Sequence, residues 1–160
     1  MLDTTILLAG IVWPRWPYEV LQHALQGDFQ LVLTQILIEE ARRKFNERFP
    51  KWTEDFENFL KECNFEVVPV PSSEEILANQ DLIRDITDIP IALAAINAGV
   101  DYFVSEDKDF TERNKTTAKL HNRLNTIISG TFLREVMGWT SEELERVRGR
   151  TWKDVQLSEN

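Results

Sequence analysis

The sequence contains a single cysteine, Cys63, so no disulfide can form within the chain. Other scarce residues also exclude classes of protein. Its two histidines, His23 and His121, have no spacing typical of a zinc site. Six glycines and six prolines among 160 residues exclude a collagen-like or linker-like chain. Because cysteine pairs are lacking, we expect a reducing compartment and a cytoplasmic protein.

Long hydrophobic runs are also absent. The apolar stretch from Ile6 to Trp13 follows Asp3, without a basic segment before it or a cleavage-like sequence after it. No run approaches the roughly 18 apolar residues of a membrane-spanning helix. We therefore expect neither a signal peptide nor a membrane partner. The hydrophobic content of 42% instead predicts a folded core in a single-domain chain.

Positive charge is in short supply, since 18 Lys and Arg residues stand against 27 Asp and Glu residues and the net charge is −9. Proteins that bind nucleic acid through a basic surface have the opposite balance. The total charge alone therefore argues against a nucleic-acid partner. How strong that objection is depends on where the acidic residues lie.

What the sequence does contain is an alternation of short apolar segments and helical patterns. Strands are predicted at 29–33, 65–70, 100–105 and 124–128, and Leu2 with Asp3 looks like the stub of a first strand. Helices are predicted at 18–26, 35–45, 54–62, 89–98, 132–137 and 141–148, with a short one from Ser72 or Ser73. This alternation predicts an α/β fold, a three-layer α/β/α sandwich with a central, mostly parallel sheet.

Cap residues define the ends of several predicted helices. Thr34, Thr53 and Thr131 are expected to cap helices, and Thr140 with Glu143 to form a capping box. Asp88 is expected to cap the most apolar helix, residues 89–98, and Gly99 to end it. The tail, residues 151–160, is expected to be loosely held.

Acidic residues follow several predicted strands, at the edge of the sheet where parallel α/β folds bind ligands. They are Asp3, Glu39, Glu40, Asp88, Asp107 and Asp109. Converging carboxylates raise one another's pKa unless a cation neutralises them, and oxygen ligands without Cys or His favour Mg²⁺ or Mn²⁺ over Zn²⁺. Taken singly, each acid also fits a structural role, as a helix cap or a turn residue. Taken together, they favour a metal site.

The segments around these acids resemble motifs of the PIN-domain family of metal-dependent ribonucleases. Residues 2–7, LDTTIL, look like the family's Asp-Thr-Asn start, and residues 34–40, TQILIEE, look like its Ser/Thr-led helix carrying the second acid. Residues 85–95, DITDIPIALAA, look like its acid pair opening an Ala-rich helix. Residues 99–110, GVDYFVSEDKDF, are similar to its last strand and Asp-x-Asp-Phe turn. The resemblance covers roughly residues 1–136.

The resemblance implies hydrolysis of RNA phosphodiester bonds with Mg²⁺ or Mn²⁺ as cofactor. The implied catalytic residues and metal ligands are Asp3, Glu40, Asp88 and Asp107. The implied supporting residues are Thr5, Asp85, Ser105 and Asp109. Thr5 stands where the family usually has Asn, and we expect its hydroxyl to take over the role of that amide.

Among its relatives, the chain looks most like PIN proteins that act as toxins in toxin–antitoxin pairs. That resemblance implies an RNA substrate, a small antitoxin as partner and a homodimer. The candidate RNA contacts are Arg42, Arg43, Lys108, Arg113 and Lys115, although a solvated helix face and a solvated loop explain these residues as well. Residues 1–136 would form the nuclease domain, and residues 137–160 a C-terminal helix and tail packing on it.

Two other classes of protein have to be weighed. A non-catalytic PIN-like protein-interaction module would keep the same acids without using them. A phosphatase of the haloacid-dehalogenase type needs a second acid where Thr5 stands, and a receiver domain needs an acid pair in its opening strand. The metal-site interpretation also weakens the charge objection, because two divalent ions add four charges and change −9 to −5.

Overall fold

This computed structural model describes residues 1–159, with side chains through Leu157. Over these residues the protein has four short strands and eleven helices. The strands are β1 (Leu31–Thr34), β2 (Phe65–Val68), β3 (Phe103–Val104) and β4 (Thr126–Ile127). The helices are α1 (Thr4–Val12), α2 (Trp16–Gln26), α3 (Gln35–Arg48), α4 (Thr53–Glu62), α5 (Ser73–Ala78), α6 (Ile89–Ala98), α7 (Lys108–Thr111), α8 (Ala118–His121), α9 (Ser129–Glu135), α10 (Ser141–Val147) and α11 (Trp152–Glu159). Pro50–Trp52 and Ile86–Asp88 form 3₁₀ turns.

Strand pairing within the described residues is parallel. Strand β1 pairs with β2, and β3 pairs with β4. Leu2 forms a parallel bridge with Val104, and the backbone N–H of Asp3 donates to the Val104 carbonyl at 3.0 Å. The carboxyl ends of the first segment, β3 and β4 therefore lie at one edge. The predicted α/β fold with parallel strands is confirmed.

The strands are shorter than the apolar segments that predicted them. The predicted strand 65–70 ends at Val68, because Pro69 and Pro71 have no backbone N–H to donate to a neighbour. The predicted strand 100–105 contributes only Phe103 and Val104 to the ladder. Apolar character thus marks the buried segment, whereas hydrogen bonding to a neighbour sets the length of the strand.

Helix α1 is the largest element that periodicity does not predict. Six of its nine residues are buried, so the sequence lacks the polar face that would reveal a 3.6-residue period. It packs against α2 through Gly10, where a Cβ atom would stand 2.6 Å from Cδ1 of Leu21. Neither α1 nor another helix in the described range is long and apolar enough to cross a bilayer.

The predicted caps are partly confirmed. The Thr34 hydroxyl accepts from the Leu37 N–H at 3.0 Å, Gly99 ends α6 in a left-handed conformation, and Thr140 with Glu143 forms the capping box. Asp88 is at the N-cap position of α6, but its side chain makes no capping hydrogen bond there. The caps predicted at Thr53 and Thr131 are wrong. Thr53 is the first residue of α4, and its hydroxyl donates to the Pro50 carbonyl instead. Thr131 lies inside α9, which begins two residues earlier at Ser129.

The C-terminal segment is ordered by contacts with the start of the chain. The expectation of a loosely held tail is wrong for residues 152–159, which form α11; Asn160 lies outside the described residues. The indole of Trp152 donates to the Val12 carbonyl at 2.8 Å and stacks on Trp52 with ring centroids 5.8 Å apart. Arg150 donates to the Pro14 carbonyl at 2.7 Å and pairs with Glu19. Long-range hydrogen bonds and ring packing therefore hold a segment whose composition looks like a free tail.

Candidate active site

Asp3 is the most buried acid at the carboxyl edge of the strands, with 5% of its surface exposed. Its Oδ2 accepts hydrogen bonds from Ser105 Oγ at 2.7 Å and from Thr5 Oγ1 at 3.2 Å. Burial disfavours the charged form and raises the pKa of Asp3, while the two hydroxyls oppose that shift. The negative charge of Asp107 raises the pKa further. Two hydroxyls therefore fix the position of the Asp3 side chain, which is largely removed from water.

The hydroxyls of Thr5 and Ser105 connect Asp3 to the turn that follows β3. Thr5 Oγ1 accepts from the N–H of Glu106 at 3.0 Å, and Ser105 Oγ accepts from the N–H of Asp107 at 3.0 Å. Each hydroxyl thus donates to the carboxylate and accepts from the turn. The structure brings both predicted supporting hydroxyls to Asp3, so the position of the Asp107 turn is coupled to that of Asp3.

Asp88 is half-buried at the end of a 3₁₀ turn and the start of α6. Its pKa is raised to about 7, first by burial and then by the negative charges of Asp3, Asp85, Asp107 and Glu40. This interaction set contains all the other predicted ligands. The structure therefore places the four predicted metal ligands within electrostatic range of one another, although they come from four separate segments.

Glu40 and Asp107 occupy the flanks of this group. Glu40 is half-buried and pairs with Lys44 Nζ at 2.9 Å, whereas Glu39 is exposed and accepts from Gln35 at 3.2 Å. After burial, the negative charge of Glu40 is among those that raise the pKa of Asp88, so Glu40 is the acid of this pair that lies near the other acids. Asp107 is also half-buried, and its Oδ1 accepts from the N–H of Asp109 at 2.9 Å at the start of α7.

The other two predicted acids have partners of their own at the rim. Asp85 is exposed, and its Oδ1 accepts from the backbone N–H of Thr87 at 3.0 Å and from the Thr87 hydroxyl at 2.7 Å. These bonds lower the pKa of Asp85. Asp109 forms a two-pronged ion pair with Arg84, at 3.0 Å and 3.3 Å. Both acids therefore stabilise the loops that carry the predicted ligands.

The predicted RNA contacts do not form one group. Arg42 is bound by Glu57 of α4 through two bonds of 2.6 Å and 3.0 Å. Lys108 and Arg113 line one cavity of about 540 Å³ beside the Asp107 turn, together with Glu106 and Glu112. Arg43 and Lys115 are exposed.

Three residues that the motifs did not single out belong to the site's surroundings. Lys44 and Arg84 are the cations whose charge lowers the pKa of Asp85. Glu106 accepts from the backbone N–H of Ser129 at 3.1 Å and from the Ser129 hydroxyl, and it thereby joins the Asp107 turn to α9. Arg84 directly precedes the motif at residues 85–95, and Glu106 lies inside the motif at residues 99–110. These positions are the only sequence signal for either residue.

Both histidines have structural partners. His23 Nε2 accepts from the indole N–H of Trp139 at 2.9 Å, so its Nδ1 is the atom that donates to Asp28 at 2.7 Å. His121 Nε2 contacts the Phe110 carbonyl at 2.7 Å. Neither imidazole contributes to the acidic group.

The residues at the edge fit a divalent metal in chemistry. Four carboxylates supply oxygen ligands of the kind that these ions prefer. In residues 1–159, however, no three acidic, histidine or cysteine side chains surround one point closely enough to hold an ion. The donors therefore match Mg²⁺ or Mn²⁺ in type, and an ion held by fewer than three of them would complete its coordination with water.

Comparison with known proteins bears on the fold and the family of the chain. A crystal structure of PAE2754 from Pyrobaculum aerophilum is similar, with a TM-score of 0.56 and 16% identity over 86% of this chain and 94% of that one. At this identity the likeness shows the fold. No curated protein matches the chain significantly. The family model of the PIN domain matches residues 1–109, a range that includes Asp3, Glu40, Asp88 and Asp107. The chain therefore belongs to the PIN-domain family, whose members are generally nucleases.

Proposed function

We propose that this protein is a metal-dependent endoribonuclease that hydrolyses RNA phosphodiester bonds. The observation that carries the proposal is the environment of Asp88, a half-buried acid whose pKa is raised to about 7 by burial and by four neighbouring carboxylates. The charged form of such a group lowers the free energy of unfolding unless a cation binds to it. Membership of a family of nucleases supports a catalytic use for that cation.

In this proposal Asp3, Glu40, Asp88 and Asp107 hold one or two Mg²⁺ or Mn²⁺ ions. A bound ion would supply a water of lowered pKa as nucleophile and neutralise charge on the phosphoryl oxygens. Asp3 would be preorganised for this task by the Ser105 and Thr5 hydroxyls. Asp88 has to lose its proton to become a ligand, so metal affinity should increase as the pH rises through about 7.

The direct test is cleavage of a labelled single-stranded RNA in the presence of Mn²⁺. Asp88→Asn keeps the size of the side chain and removes its charge, so we expect activity to fall by about 100-fold or more. Asp101→Asn is the matched control. Asp101 is an exposed aspartate two residues before β3 and is not one of the predicted ligands. Equal cleavage by wild type and Asp88→Asn would contradict the proposal.

A non-catalytic PIN-like interaction module is the alternative, and one observation favours it. No three potential ligands in the described part of the chain converge on a single point. Metal binding separates the two functions. For the nuclease, Mn²⁺ raises the melting temperature of the wild type, and Asp3→Asn abolishes that shift. An interaction module shows no shift in either protein.

We further propose that the nuclease is the toxin of a toxin–antitoxin pair, acting as a homodimer in the cytoplasm, with residues 137–160 packed on its nuclease domain. The net charge of −9 and the acidic edge suit a small antitoxin that inserts a cationic side chain among the carboxylates. The indole of Trp16 in α2 donates to the Leu144 carbonyl of α10 at 2.9 Å, which supports the packing of the C-terminal segment.

The toxin proposal predicts that expressing the wild type arrests cell growth and that expressing Asp88→Asn does not. It also predicts a short neighbouring reading frame whose product restores growth. Normal growth with active enzyme present would count against the toxin role and leave the nuclease proposal unaffected.

A further inference from the structure

Arg84 is a fixed cation at the rim of the acidic site. Its Nε donates to Oδ1 of Asp109 at 3.0 Å and its Nη2 to Oδ2 at 3.3 Å, so the two planar groups lie side by side. The Arg84 side chain is nevertheless 80% exposed. The ion pair thus restricts where the guanidinium lies without covering it.

The positive charge of Arg84 lies near acids of the candidate site. Its pKa is raised by Asp109 and, more weakly, by the charges of Asp107 and Asp85. Arg84 also lies one residue before Asp85, in the loop that leads into the Asp88 turn. The guanidinium is therefore close to two of the segments that carry the metal ligands.

The bonds to Asp109 leave part of the guanidinium available. Arginine has five N–H donors, and two of them bind Asp109. Lys44, a second cation near the acids, differs because its ammonium pairs with Glu40 and its side chain is only 27% exposed. Arg84 is thus better placed than Lys44 to contact an anion arriving from solvent.

We propose that Arg84 is a substrate-binding residue that donates to a phosphate of the RNA strand at the rim of the acidic site. The inference rests on the nuclease function proposed above. In a chain of net charge −9, a phosphate needs a local cation when it approaches carboxylates, and the fork of an arginine suits phosphate oxygens. Asp109 then positions the guanidinium and does not have to contact metal or substrate.

Steady-state cleavage and RNA binding together test this assignment. For Arg84→Ala we expect KM to increase about tenfold and kcat to stay within about twofold, because the contact forms with the substrate before the reaction. Arg84→Lys should fall between the two proteins, since it keeps the charge and loses the fork. Arg146→Ala is the matched control, because Arg146 is an exposed arginine paired with Glu142 on α10. Arg84→Ala and Arg146→Ala each lose one exposed ion pair, so their melting temperatures should fall slightly and by similar amounts.

RNA binding in EDTA gives a readout that does not depend on metal or on turnover. Fluorescence anisotropy of a labelled single-stranded RNA is measured between 25 and 200 mM KCl. Losing one phosphate contact should reduce the slope of log K against log salt by about 0.7 for Arg84→Ala. Arg146→Ala should keep the wild-type slope.

The outcomes separate this inference from the nuclease proposal. Wild-type cleavage with unchanged KM and salt slope in Arg84→Ala overturns the role of Arg84 alone. A reduced salt slope without cleavage by the wild type supports RNA binding by Arg84 and contradicts the nuclease. If the wild type neither binds nor cleaves RNA, both proposals are contradicted.

Discussion

Ser105 Oγ donates a 2.7 Å hydrogen bond to Oδ2 of Asp3, across a separation of 102 positions in the chain. The same oxygen accepts from the backbone N–H of Asp107 at 3.0 Å. Ser105 is completely buried, so water cannot replace either bond. One hydroxyl therefore fixes two acids of the candidate site relative to each other.

Removing this hydroxyl should destabilise the protein. For Ser105→Ala we expect the free energy of unfolding to fall by about 2 kcal/mol, because the buried carboxylate of Asp3 and the half-buried N–H of Asp107 each lose a partner. The pKa of Asp3 should also rise, since the Ser105 bond is the largest effect that lowers it. Urea unfolding at pH 7 measures the first effect, and carboxyl titration by NMR measures the second.

The matched variant is Thr5→Val, which removes the other hydroxyl on Asp3 and keeps the shape of the side chain. Thr5 is only half-buried and its bond to Asp3 is longer, at 3.2 Å. We expect a loss of about 1 kcal/mol or less. A larger loss of unfolding free energy for Thr5→Val than for Ser105→Ala would show that burial does not determine which hydroxyl bond to Asp3 is stronger.

Asp88 should make the stability of the metal-free protein depend on pH. Its pKa is about 7 in the folded protein against an ordinary 3.8, so between these values the folded state binds a proton that the unfolded state has lost. The free energy of unfolding therefore falls as the pH rises from about 4 to about 7. Asp88→Asn removes this penalty, and at pH 8 it should be more stable than wild type by about 1 to 3 kcal/mol.

Urea unfolding in EDTA at pH 4.5 and pH 8 checks this prediction. The two proteins should be nearly equal in stability at pH 4.5 and differ at pH 8. Asp101→Asn serves as the control and should behave as wild type at both values. If Asp88→Asn were less stable than wild type at pH 8, the repulsion among the carboxylates would have to be much weaker than we infer.

Gly10 should be required for the contact between α1 and α2. A Cβ atom there would lie 2.6 Å from Cδ1 of Leu21, 2.8 Å from its Cγ and 3.0 Å from the Pro17 carbonyl oxygen. Gly10→Ala should therefore reduce the free energy of unfolding by about 1 to 3 kcal/mol, although alanine normally favours a helix. The double variant Gly10→Ala with Leu21→Ala makes room for the new methyl group. The effect of Gly10→Ala should be smaller in that background than in wild type, and an equal effect would place the clash elsewhere.

Trp152 should contribute to stability through both its hydrogen bond and its ring. Trp152→Phe removes the 2.8 Å bond to the Val12 carbonyl and keeps an aromatic ring beside Trp52, so we expect a loss of about 1 kcal/mol. Trp152→Ala also removes the ring, and the loss should reach about 3 kcal/mol. Thermal unfolding of the three proteins measures both. No change in either variant would mean that α11 adds nothing to the stability of the fold.

The acids of the candidate site could be predicted from the sequence because local context marks them. Asp88 precedes an apolar helix with a proline in its first turn, and Asp107 follows a buried strand. Arg84 could not be predicted in the same way, because its partner Asp109 is 25 positions away and the pair exists only in the folded chain. Glu106 is similar, since its bond to Ser129 spans 23 positions.

The same distinction explains the fold. Strands and helices with a clear period were predicted, whereas α1 was not, because a mostly buried helix without a polar face has no period to detect. Helix α11 looked like a tail because its stabilising contacts involve Val12 and Trp52, far away in the sequence. Local pattern predicts elements, and long-range contacts decide which of the remaining segments are ordered.

The parallel pairing at the candidate site also determines when the site can form during synthesis. Asp3 reaches its hydroxyl partner on Ser105 only after β3 has bound the first segment, and the N–H of Ser105 in turn donates to Ile127 at 3.0 Å. Contacts this far apart in sequence form late in folding. In a nascent chain the carboxylates of the acidic centre therefore stay apart until the segment that reaches Ile127 has left the ribosome, and the centre cannot form before then.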